Sequence, residues 1–224
     1  MYNLNLILVN LRRENLFTIE FFKERRSIRE YSRKKVSNKV LQKILEAGRW
    51  APSAHNAQPW RFIVLKDPNI KLVLAKRMAF EWSKDLELNG VSKERIKALT
   101  ESSIKIFSTA PIVIIACLTM ENMQVYPDEK RRKFEYIMGI QSVAAAIENI
   151  LLAASLEGLG ACWFCAPLFC QSIVQETLGI PKHVEPQALI TIGYPKSFPS
   201  PPPRKSLKEI VYVNKWGFKW DSVC

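Results

Sequence analysis

Cysteine and histidine are both scarce in this chain. The five cysteines, at 117, 162, 165, 170 and 224, are odd in number and unframed by a secretory signal. They argue against a disulfide scaffold and for a reducing cytoplasm. Of two histidines, His55 has no second His, Asp or Cys at ligand spacing, so it reads as a loop histidine rather than a base or metal ligand. No segment approaches the ~20 apolar residues that cross a bilayer. Met1 to Asn10 lacks a basic n-region and has too short an apolar run to export or anchor the chain, so a soluble protein with no membrane partner is expected. Internal repeats are missing too, and the one biased stretch, Pro199-Ser200-Pro201-Pro202-Pro203, should be extended polyproline. No nucleotide fingerprint marks a nicotinamide donor.

Acidic residues are outnumbered, 21 against 33 Lys and Arg, for a net charge of +12. Much of the excess is early: from Asn10 to Arg49 twelve basic residues face five glutamates. A dense basic face attracts phosphates. No helix-turn-helix, zinc finger or aromatic RNA-binding motif accompanies it, so solvated faces and small anionic ligands are its expected use. A basic nucleic-acid-binding protein without catalysis is the alternative from another class.

With 224 residues, 48% of them apolar, the chain can bury a core as one domain. Thr18 is placed to cap a helix running to about Ser27 that turns Ile19, Phe21 and Phe22 inward. Ser37 caps the next, where Val40, Leu41, Ile44, Leu45 and Ala47 keep helical spacing until Pro52 enforces an exit. Arg61–Leu65, Pro111–Cys117, Ala161–Ala166 and Gln187–Tyr194 read as strands. From Gly139 to Leu156 a helix is apolar nearly all round and therefore buried on several sides. Residues 75–108 and 119–138 are charged and weakly periodic, as insertions or lids would be. Few strands, without regular βαβ repetition, imply an α+β fold with a mainly antiparallel mixed sheet.

Two segments carry the chemistry. Arg25-Arg26-Ser27-Ile28-Arg29 gathers three guanidinium groups and a hydroxyl, the donors that bind phosphate; alone it also reads as a solvated basic turn. Pro52-Ser53-Ala54-His55-Asn56-Ala57-Gln58-Pro59-Trp60 is a proline-stiffened loop. Its Ser53, Asn56 and Gln58 match the uracil-like edge of an isoalloxazine, unless it is an ordinary helix-to-strand loop with polar tips. Cys162-Trp163-Phe164-Cys165 is a C-x-x-C, but a buried strand raises thiol pKa values and points the pair to opposite faces, against a redox or metal role.

Together these segments resemble the nitroreductase family of FMN oxidoreductases. Arg25–Arg29 is similar to its phosphate motif and Pro52–Trp60 to its flavin-edge loop. Gly158-Leu159-Gly160-Ala161-Cys162-Trp163 resembles the backbone beside the reactive ring, and Pro203-Arg204-Lys205 the late basic return to the phosphate. The resemblance spans Phe21 to Val213. It implies a three-layer α/β/α fold, an intertwined homodimer, and non-covalent FMN at the interface, bound by Arg25, Arg26, Ser27, Arg29, Pro52, Ser53, Ala54, Asn56, Gln58, Gly160, Ala161, Arg204 and Lys205. Gly160, Ala161 and Cys162 would lie near the ring, which carries the chemistry without a protein acid or nucleophile. NADH or NADPH would deliver hydride to flavin N5, then leave for a small organic acceptor such as a nitroaromatic or quinone. The domain is expected over 18–213, between an extension at 1–17 and a tail at 214–224.

Within the family, Tyr126-Pro127-Asp128-Glu129-Lys130-Arg131-Arg132 and Pro167-Leu168-Phe169-Cys170 resemble the flavin domain of deazaflavin-coenzyme ligases. That likeness implies reduction of a dehydro precursor of the coenzyme, with Tyr126, Lys130 and Arg131 near a polyanionic substrate. Dehydrogenation, reductive dehalogenation and flavin fragmentation are rivals on the same fold.

Overall fold

The computed structural model describes residues 18–220, so the extension expected over 1–17 lies outside the described residues. In chain order the first half contains α1 (Ile19–Glu24), α2 (Asn38–Arg49), β1 (Trp60–Leu65), α3 (Pro68–Leu88), α4 (Lys93–Thr109) and β2 (Ile112–Thr119). After these come α5 (Glu129–Leu156), β3 (Gly160–Phe164), α6 (Gln171–Leu178), β4 (Val184–Gly193) and the short α7 (Leu207–Ile210). The four strands form one antiparallel sheet in the order β1-β2-β4-β3. A parallel bridge from Ser27 to Ala161 extends it beyond β3.

Every residue of β2 is buried, because helices cover both of its faces, and this is why its sequence is a continuous apolar run rather than an alternation. Pro186 sits within central β4, opposite Cys117, where a register shift accommodates a residue with no N–H to give. One face of the sheet packs against α2 and α5, with Leu41, Ile44, Val143, Ile147 and Ile150 meeting Ile114, Ile190 and Ile192. The other packs against α3, α4 and α6, with Leu74, Met78, Phe107 and Val174 meeting Val113, Ile115 and Leu189. The fold is α+β in three layers.

Three expectations change. The weakly periodic 75–108 segment falls within α3 and α4, a helical pair forming part of the second layer. Its periodicity is faint because α4 fully buries only Ile96 and Phe107. Within 119–138, the core helix already begins at Glu129, where the Asp128 side chain caps it by accepting from Arg131 N–H (2.8 Å). In α1, Ile19 and Phe22 are 65% and 51% exposed, so this face does not reach the core of its own chain. Helix α5 is long and apolar enough to cross a membrane by length and composition, but its Val143, Ala146, Ile147 and Ile150 are core residues.

The packing of α2 on α5 sets where the chain leaves α2. A Cβ on Gly48 would lie 2.8 Å from Ile150 Cγ1, so the helices approach at a point where only glycine fits unaltered. Asn149 Nδ2 donates to Ala47 O (3.0 Å) beside it.

Candidate functional site

After α1 the chain runs extended past the edge of β3. Ile28 N–H donates to Ala161 O (3.0 Å), and the buried Ile28 lies where a Cβ on Gly160 would be only 2.5 Å away. An extended backbone turns alternate side chains to opposite sides. Arg26 goes one way: its guanidinium donates to the backbone carbonyls of Pro199 (3.2 Å), Arg25 (2.8 Å) and Lys23. Arg25, Ser27 and Arg29 go the other way and converge beside Cys162. Burial pushes the Cys162 thiol up, while Arg29, a Ser27 hydrogen bond and Arg25 pull it down. Arg29 has no carboxylate partner among the described residues, its guanidinium lying 5.8 Å from the Phe164 ring centroid. Arg25 forms a long ion pair with Glu148 of α5, its Nε 3.7 Å from Oε1. Two guanidinium groups and a hydroxyl thus gather at one place, only one of the guanidiniums paired with an anion, and they make the donor set a phosphate needs.

The second half-site is the loop after α2. His55, Asn56 and Gln58 have φ of 55°, 54° and 47°, three of the four positive-φ non-glycine residues among the described ones. Such backbone costs ~1–3 kcal/mol per residue and persists only where surroundings impose it, most often at ligand clamps. Here Ala57, Pro59 and Trp60 are buried anchors. Ser53 Oγ accepts from Gln58 N–H (3.1 Å), and Ala54 N–H donates to Ser142 Oγ of α5 (3.2 Å). Asn56 and Gln58 stay exposed, with polar tips directed away from the core.

A residue that sequence reasoning missed supports this loop. Glu135 of α5 is 1% exposed; its Oε1 accepts from Gln124 N–H (2.9 Å) and lies 3.6 Å from His55 Nε2, while Oε2 has no hydrogen-bond partner. It ties the connection after β2 to the loop after α2. A lone glutamate in a charged run gives no signal of this.

In one chain no hydrogen bond or ion pair among the described residues joins the 52–58 loop to residues 25–29; the loop is tied to Ser142 of α5 and Arg25 to Glu148 farther along the same helix. Arg204 and Lys205 are exposed on an arm after β4, with no hydrogen bond or ion pair to residues 25–29 among the described residues. Tyr126 donates to Gln124 Oε1 (2.5 Å), and Arg131 pairs with Asp128 and lies over the Tyr126 ring, so its charge is already answered; Lys130 is exposed. Cys162 is buried in β3 whereas Cys165 lies exposed just beyond it.

A three-layer α+β fold with a cluster of guanidinium groups at the β3 edge and a strained polar loop after α2 defines the class of protein. The chain belongs to the nitroreductase family, whose model matches residues 22–194. It is 32% identical to a candidate NADH dehydrogenase/NAD(P)H nitroreductase of Archaeoglobus fulgidus, over 77% of this chain and 82% of that one. It is 30% identical to an iodotyrosine deiodinase of Haliscomenobacter hydrossis, over 79% and 78%. A candidate nitroreductase from Desulfovibrio desulfuricans, solved in complex with FMN, superposes with a TM-score of 0.67 at 26% identity, covering 88% of this chain and 96% of that one. The protein is an FMN-dependent NAD(P)H oxidoreductase.

Proposed function

We propose that the protein reduces a small organic acceptor at the expense of NADH or NADPH in two alternating half-reactions, with FMN held non-covalently between two copies of the chain. The observation that carries this is the convergence of Arg25, Ser27 and Arg29 beside Cys162 of β3, with Arg29 free of any carboxylate among the described residues and Arg25 held only by a long pair to Glu148. Bound FMN would supply the hydride chemistry. The chain's own residues bind and orient it. Arg25, Ser27 and Arg29 hold the phosphate, joined by Arg204 and Lys205 from the arm. Arg26, occupied by backbone carbonyls, fixes the root of that arm through Pro199. Gly160 and Ala161 offer backbone at close approach, and Ser53, Asn56 and Gln58 hydrogen-bond the polar ring edge, shaped by Pro52 and Ala54. Tyr126, Lys130 and Arg131 flank the acceptor.

That the two segments make no direct contact within one chain supports a shared site: the 52–58 loop of a second copy meets the 25–29 segment of the first. Phe198, Trp216 and Phe218 on the arm, 70%, 86% and 60% exposed in one chain, supply apolar surface for that contact. Kinship to iodotyrosine deiodinases favours a halogenated phenol as a second acceptor class, to be tried beside nitroaromatics, quinones and a dehydro-deazaflavin.

The test is an absorption spectrum after FMN loading and desalting, then anaerobic NADH or NADPH. About one flavin per chain that bleaches is expected. Arg25→Ala and Arg29→Ala should each weaken FMN by about 1.5–3 kcal/mol. Full FMN affinity in the double variant would sink the phosphate assignment.

A further inference from the structure

The positive charge of the molecule is concentrated where β1 ends and β2 begins. There a groove of about 850 Å³ is lined by eight cationic side chains and one carboxylate, Glu30. Arg33, Lys34 and Lys35 enter from the connection after Tyr31, and Lys66 and Lys71 from the end of β1 and the start of α3. Lys105 of α4 and Lys196 after β4 complete it, and Arg29 borders it from the flavin side.

Cations elsewhere are commonly answered: Lys43 by Glu157, Arg61 by Glu121, Arg77 by Glu176, Lys84 by Glu81. None of the eight in the groove forms an ion pair among the described residues. Lys66 Nζ donates only to the neutral Asn38 Oδ1 (2.7 Å), and Lys34 Nζ sits 4.0 Å from the Tyr194 ring centroid.

Lys71 is the decisive member. It is 5% exposed, yet its ammonium touches no carboxylate, donating instead to Ala110 O and Pro111 O (3.3 Å). Two acceptors leave one of its three N–H donors over. Burial pushes its pKa below the usual lysine range, with Asp67 opposing. A buried ammonium without a counter-charge is costly, and like charges gathered in a concave, low-dielectric wall focus a strong positive potential. The complement to both is a multiply charged anion.

Its form follows from the lining. The volume suits a small molecule. Tyr31 is the one aromatic ring present, and it is buried with its hydroxyl bonded to Thr191, so no exposed ring can stack the bases of single-stranded nucleic acid. The guanidinium of Arg33 and the hydroxyls of Ser32 and Ser102 are suited to phosphate oxygens. We propose that this groove binds a compact polyphosphate group, free or as the tail of a nucleotide, at a position separate from the flavin phosphate. The inference does not rest on the flavin reading.

The experiment is calorimetric titration of the FMN-saturated, full-length protein with inorganic tripolyphosphate and, separately, ATP. Saturable binding of one ion per chain that weakens with added salt is expected. Lys66→Glu/Lys105→Glu should weaken it at least about tenfold, since each lost charge-assisted contact is worth more than a kcal/mol, with flavin content and nicotinamide oxidation at the wild-type level. Lys66→Gln/Lys105→Gln, expected to act in the same direction, stands in where charge reversal prevents folding. Tighter binding of ATP identifies a nucleotide source, and equal or tighter tripolyphosphate an inorganic one. The proposal is overturned by any of four results: no saturable binding, equal affinity in the variants, displacement of tripolyphosphate by added FMN, or single-stranded DNA that binds the wild type more tightly and is not displaced by tripolyphosphate.

Discussion

Glu135 and its neighbour Tyr136 show how much one buried turn of α5 carries. Removal of the Glu135 carboxylate strands the Gln124 N–H, so Glu135→Ala should cost about 1–3 kcal/mol in urea unfolding. Glu135→Gln keeps an acceptor and should cost much less; equal losses would place the energy in the His55 contact instead. Tyr136 donates to Glu185 Oε2 (2.6 Å), and burial first, then the Glu185 hydrogen bond and charge, push its phenol up from 10.0 to about 12. The folded state thus holds this proton more tightly than the unfolded state. Its contribution is complete below pH 10 and is lost as pH rises from 10 through 12. Tyr136→Phe should melt at a lower temperature near neutrality but lose less of its stability than the wild type across that alkaline window. Parallel melting curves of constant offset would contradict this.

Among the elements, the edge where Ser27 meets Ala161 is the most constrained. Gly160→Ala would place a methyl 2.5 Å from Ile28 Cβ, against side chain close to the backbone rather than a flexible tip. Displacement of residues 27–29 should cost about 1–3 kcal/mol in stability and weaken FMN as well; adding Ile28→Gly, which removes the clashing Cβ, should restore part of the FMN affinity. Unchanged flavin binding in Gly160→Ala would mean that this edge does not set the phosphate donors. The four strands were legible in sequence because each is a short apolar run, and α2 because Ser37 and a regular stripe announce it; Ser37 Oγ indeed accepts from Val40 N–H (3.3 Å). Helices α3 and α4 were not, since their buried stripes are narrow and interrupted by residues such as Lys71. The first ten residues of α5 were hidden by the charges of Glu129 to Lys133, which face solvent while Glu135 alone turns inward. The Arg25–Arg29 motif could be read as a group, but not the opposite duties of Arg26 and its neighbours, which depend on extended backbone against β3. The contact of His55 with Glu135 joins residues far apart in sequence, where spacing has nothing to report.

On the scale of the whole molecule, the proposed homodimer accounts for surface that one chain leaves uncovered. Beyond Lys196 the arm has no buried residue among the described ones, and α1 presents Ile19 and Phe22 outward. Truncation after Lys196 should therefore leave the secondary structure of the sheet and its helices intact by circular dichroism while abolishing dimerisation and FMN retention; a truncated chain that stays dimeric and yellow would refute the assignment of the arm. The proposed shared site has a genetic consequence as well. A chain defective at Arg25 and Arg29 and a chain defective at Ser53 and Asn56 should each be inactive alone, yet a mixed pair should assemble one site from the two sound halves and one from the two damaged halves. Two null alleles of this gene should complement each other when they fall in different segments, and fail to when they fall in the same one.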